Sequence, residues 1–222
     1  MKQGDFFWLL AFGALSAGLL VPSTHQIFIS MTLQHPYLMG FFKFAILATM
    51  GELLAIRLLA GRWKKTVGMI PKAIVWGVVG MLVVLMFEIY LNGVAGAVRK
   101  GLLYVGGGAV QAVVTAFFIS AIMNLTFAPA FMAAHRMTDL YIDRKSEGLD
   151  TAWETLVARI DWQGFIKFVV AKTVPLFWIP AHTIVFLLPP EYRVLAAAYL
   201  SIALGAILAY ARRKKNEVNL AD

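Results

Sequence analysis

The sequence predicts an all-α protein, a polytopic transmembrane helical bundle of about six membrane segments forming one integral membrane domain over 1–222. Three observations predict it. Hydrophobic residues make up 60% of the chain, charged ones 14%, and the mean hydropathy is +0.75; too few polar side chains exist to cover a soluble globule of this size. The apolar residues come in runs close to the ~17–25 residues a helix needs to cross hydrocarbon. A chain in lipid must also satisfy its backbone groups internally, so such runs read as helices. Finally, the Lys and Arg residues crowd into alternate links.

Segment one covers 6–29. Its apolar run passes Ala17 and continues to Ile29, longer than a signal-peptide core, so it reads as a retained helix. After the polar link Thr32–Pro36, segment two covers 37–59 and holds Lys43, Glu52 and Arg57. The basic link from Gly61 to Lys65 leads to segment three, 73–91, with Glu88 near its far end. Segment four, 102–134, contains Gln111, Asn124 and Pro129 and exceeds a bilayer's thickness, so tilt or a kink at Pro129 is expected. Gly106–Gly107–Gly108 at its start reads as a close helix contact rather than a phosphate nest, since no P-loop pattern follows.

The polar stretch from His135 to Asp161 contains Thr151 and Glu154, a capping-box pattern. Trp153, Leu156, Val157 and Ile160 follow at helical spacing. An amphipathic helix over 151–161 is expected, lying on the membrane surface or packed on a neighbouring loop.

Segment five, 171–188, is interrupted by Pro175 and Pro180, with His182 beside the break. Proline removes a donor and clashes with the preceding turn, so a kink with freed carbonyls is expected there. Segment six, 194–211, places Ala197, Ser201, Gly205 and Ala209 at four-residue intervals, a small-residue stripe that lets another helix approach closely.

With six crossings and the N-terminus inside, fifteen of the twenty Lys and Arg residues fall inside and three outside, while Lys43 and Arg57 lie within a segment. The positive-inside rule then puts both termini in the cytoplasm. It also accounts for the net charge of +8 without nucleic acid as a partner. No cysteine is present, which excludes thiolate metal sites and cysteine nucleophiles. His25, His35, His135 and His182 show no metal-ligand spacing, and no hydrolase or zinc motif appears. The sequence therefore gives no reason to expect an enzyme, a metal or another cofactor.

Glu52 and Glu88 are the sharpest signals. A charge at membrane depth costs at least ~2.5 kcal/mol on insertion scales, so it faces the bundle interior or water and has a partner. Lys43 is nine residues from Glu52, on roughly the opposite face, and Arg57 can snorkel to the interface. Glu52 is therefore expected to pair across to another helix, with Gln111 and Asn124 as neutral candidates. The polar-path candidates are Glu52, Asn124, Glu88, Gln111 and His182; the kink candidates are Pro129, Pro175 and Pro180.

Three stretches resemble the 22-kDa peroxisomal membrane protein family, which includes the mitochondrial inner-membrane Mpv-seventeen protein. They are His35-Pro36 with Gly51-Glu52, the run Asn124 to Pro129, and Trp178, Pro180, Pro189, Tyr192, Arg193, Leu200 and Ser201. The chain departs from the family where Met123 replaces an acid and where Pro180 and Pro189 stand closer together. Segment one is an addition to the family's four helices. The resemblance spans roughly 34–214 and implies a small membrane protein that forms a pore or helps solutes cross, with no cofactor and no settled substrate.

Two functions are therefore expected as alternatives. One is a channel or facilitator for small solutes or ions. The other is a non-transporting scaffold that binds a partner protein or anionic lipid through its basic face. The prokaryotic plasma membrane is favoured over an organellar one, and a homo-oligomer is left open.

Overall fold

The computed structural model describes residues 3–64 and 66–219, with side chains to 207 and at 209 and 210. Among these residues there are eight helices and no strand: α1 (Gln3–Gly18), α2 (Pro22–Gln34), α3 (Pro36–Ala60), α4 (Met69–Arg99), α5 (Ala109–Ser146), α6 (Trp153–Arg159), α7 (Trp162–Leu187) and α8 (Pro190–Asn219). The fold is an all-α bundle. Four helices, α3, α4, α5 and α7, are long and apolar enough to cross a membrane, which is compatible with an integral membrane protein. Their outward faces stay apolar: Phe42, Ile46, Ile74, Val78, Phe117 and Leu176 are all exposed.

The first expected segment is not one straight helix. α1 and α2 meet at an 80° bend. Gly18 ends the first helix and Pro22 starts the second, because proline suits the first turn of a helix but not its interior. Thr24 Oγ1 donates to the Gly18 carbonyl, and His25 Nδ1 lies 2.8 Å from the Leu19 carbonyl, so side chains satisfy the bend's backbone. The sixth expected segment lies on α8, and its basic end at Arg212 to Lys215, like Lys2 and Lys65, falls outside the residues whose side chains are described.

α3 is the central helix, flanked by α4 and α8. Glycine sets both contacts. A Cβ on Gly80 would lie 2.1 Å from the Gly40 carbonyl oxygen, so α3 and α4 touch backbone to backbone. On the other side, a Cβ on Gly51 would lie 3.0 Å from the Ile202 Cα, and one on Gly205 would lie 3.3 Å from the Gly51 oxygen. Ala197 and Ala209 are buried and Ser201 and Gly205 half-buried, so the small-residue stripe of α8 lies against α3. Around this axis Phe44, Leu47, Phe87, Ile119, Met123 and Phe186 form the core.

Several local expectations need correction. Segment four begins at Ala109 rather than 102, and Gly106 and Gly108 take positive φ in the preceding loop with nothing near a Cβ position, so they make a turn and not a helix contact. Thr151 and Glu154 do not form a capping box. Asp150 instead braces the turn before the helix, accepting from the Ala152 amide at 2.9 Å and the Thr155 hydroxyl at 2.5 Å, while the N-cap residue Ala152 has no side-chain cap bond. Leu156 of α6 and Ile160 just after it are buried against the protein, while Trp153 stays exposed. Lys72, Lys167 and Lys172 lie on helices and not in links.

Candidate functional site

α7 departs from ordinary winding over Phe165–Trp178, where the backbone is π-helical, and returns to α-helix from Ile179. Pro175 lies inside the wide stretch and Pro180 opens the tighter one. Wide turns of this kind break the normal bonding ladder. Beside this junction the Ile179 carbonyl accepts from Ser120 Oγ of α5 and from Thr183 Oγ1, both at 2.7 Å. Pro129 sits within α5, which continues unbroken past it.

Ser120 starts a buried polar chain. Asn124 Nδ2 donates to the Ser120 carbonyl at 2.9 Å and lies 3.0 Å from His182 Nδ1. Asn124 is 1% exposed. Trp178 stacks on the His182 ring and Phe87 meets it edge-on. A buried amide must spend its hydrogen-bonding groups or lose ~1–3 kcal/mol. Here the return helix α7 supplies the partner.

A second polar cluster lies toward the end of the bundle that carries the Gly61–Gly68 link. Lys72 Nζ lies 2.8 Å from Asp143 and 3.3 Å from Glu52. The close fit of Gly68 against Ile142 explains why: a Cβ there would lie 2.4 Å from Ile142 Cγ2, so the start of α4 presses on the end of α5. Next to it, His135 Nδ1 lies 3.2 Å from Asp139 Oδ2, and the Trp76 ring lies 4.1 Å from the His135 ring, tilted by 43°.

Both clusters border one half-open cavity of about 430 Å³ between α3, α4, α5, α7 and α8. Glu52, Asn124 and His182 line it, as do His135, Arg136 and Asp139. The rest of the wall is mainly aromatic and methionine, with small residues where α3 and α8 meet. Four lining residues keep a buried polar atom without a partner: Trp76 Nε1, Trp178 Nε1, His135 Nε2 and Asp139 Oδ1. Such atoms destabilise the protein unless something pairs with them.

Glu88 is placed elsewhere. It is exposed on α4 and takes a hydrogen bond from Asn92, so it lines neither this cavity nor a second, outer hollow bordered by Leu91, Gly108 and Phe186. Gln111 is exposed at that outer hollow, with Thr115 and Arg193, at the opposite end of α5. Phe87 lines the cavity and Phe186 the hollow, and their rings lie 4.8 Å apart.

Glu52 does pair across to another helix, but its partner is Lys72 and not an amide. The sequence reading passes over Lys72, His135 and Asp139 as site residues. His135 and Asp139 could have been noticed as an i, i+4 pair on one helix face. Lys43 instead donates to Thr32 and lies over the Phe28 ring, and Arg57 binds Asp5 through two nitrogens at 2.7 and 3.0 Å. Comparison with protein-family models, curated proteins and solved structures finds no match.

Proposed function

We propose that the chain is a small integral membrane facilitator that carries solutes through the cavity between α3, α5 and α7. The carrying observation is that Glu52 and Asn124, from two different apolar helices, line the same space. Polar groups at membrane depth are expensive and mark solute paths. A volume of about 430 Å³ lies within the ~300–1,000 Å³ range of small-molecule sites. The π-wound, proline-bearing α7 supplies an element that can move against α5. The resemblance to the peroxisomal membrane protein family agrees with this reading. A prokaryotic plasma membrane with both termini in the cytoplasm fits the distribution of basic residues.

Proteoliposomes test it. Vesicles holding the protein should release small polar solutes faster than empty ones, and Glu52→Gln should slow release. Wild-type vesicles as tight as protein-free vesicles would reject the proposal. The scaffold alternative rests on the exposed Trp153 and the basic residues, and draws less support than the cavity shared by Glu52 and Asn124.

A further inference from the structure

The charges around the cavity do not balance. Asp143 and Glu52 both reach the Lys72 ammonium, and Asp139 also acts on it electrostatically. One buried lysine thus serves three carboxylates. Glu52, at the longer distance of 3.3 Å, is the weaker held of the two in contact, and it faces the cavity. Asp139 also lines the cavity; its Oδ2 lies 3.2 Å from His135 Nδ1, while its Oδ1 is buried without a partner. Arg136 is the other cation at the wall, but it is exposed, where solvent screens it. The corner is therefore acidic in a place largely walled by rings.

We propose that this cavity binds a lipophilic organic cation: one positive charge on an aromatic or branched apolar body. This rests on the cavity being the solute site proposed above. The acids Glu52 and Asp139 face the charge. Trp76 and Phe131, both in contact with the His135 ring, line the cavity with Phe127 and Trp178, and ring faces attract organic cations. The methionine and phenylalanine walls cover the apolar body. A hard metal ion is a poorer fit, since it needs a cage of several oxygens. Among the described residues no group of three or more His, Cys, Asp or Glu could hold one.

The test uses the full chain in nanodiscs of uncharged lipid, with ethidium as the cationic probe and 1-naphthol as the neutral one. Fluorescence anisotropy should show saturable ethidium binding above that of empty discs. Glu52→Gln should weaken it by about tenfold or more, as loss of a close charge partner does. Lys72 keeps Asp143 at 2.8 Å in that variant, so its closer ion pair remains. Asp139→Asn is the second variant and should also weaken ethidium binding, while 1-naphthol binding should respond to neither. Absence of saturable ethidium binding, or both variants binding it like wild type, overturns the proposal. Glu52-dependent release of neutral solutes without ethidium binding removes only the cation class and leaves the facilitator. Glu52-dependent ethidium binding in vesicles that stay tight supports the site and removes transport.

Discussion

Gly40 of α3 and Gly80 of α4 lie so close that a Cβ on Gly80 would fall 2.1 Å from the Gly40 carbonyl oxygen. The backbone itself is the obstacle, and it cannot swing aside as a side chain can. Gly80→Ala should therefore force the helices apart and cost about 1–3 kcal/mol, the range for overpacked cores. Gly93, on the same helix, has nothing within 4 Å of its Cβ position. Gly93→Ala should be neutral or stabilising by up to ~1 kcal/mol, since alanine is the better helix former. Thermal unfolding of both variants in one detergent checks the contrast.

Asn124 joins α5 to α7 through Ser120 and His182. Asn124→Leu leaves Ser120 its bond to the Ile179 carbonyl but strips His182 Nδ1 of its partner. A loss of about 1–3 kcal/mol is expected, the cost of one orphaned buried polar group. Asn124→Asp should be worse, because it adds a charge at a site that is 1% exposed. Denaturant titration would rank the three proteins.

Phe87 and Phe186 stand between the inner cavity and the outer hollow, their rings 4.8 Å apart. Phe186→Leu keeps an apolar side chain there but removes the ring. Solute release from proteoliposomes should rise while the helical circular dichroism stays constant. Unchanged release would show that this pair does not divide the path.

Asp150 lies in the link between α5 and α6, outside the apolar spans. The Thr155 hydroxyl, and after it the Ala152 amide, hold its carboxyl below the ordinary 3.8. A carboxyl with a depressed folded value gives its stabilisation above the unfolded value and loses it as pH falls through the folded one. The start of α6 should therefore stay ordered at pH 5 and loosen only below 3.8. Amide exchange at Ala152 read against pH should show this, and Asp150→Ala should exchange fast at every pH.

Legibility differed from residue to residue. Pro175 and Pro180 marked where α7 leaves regular winding, because each deletes a backbone donor wherever it sits; the expected kink is π-winding in the structure. The stripe on α8 was readable because four-residue spacing fixes a helix face. The bend after Gly18 was harder, since the hydropathy of 6–29 does not change at the break and only Gly18 and Pro22 mark it. The brace at Asp150 was harder to see, because Thr151 and Glu154 offer a capping pattern beside it and only the turn geometry brings Asp150 to the Ala152 amide and the Thr155 hydroxyl.

The sequence alone determined an apolar, all-helical chain with acids and amides inside its apolar segments, because composition and helical period are properties of the chain itself. Only the tertiary structure decided that Glu52 leans on Lys72 and that His135 and Asp139 share its cavity. Those pairings join α3, α4 and α5, and the approach of these helices is set by where glycine lets backbones touch, which no single helix records.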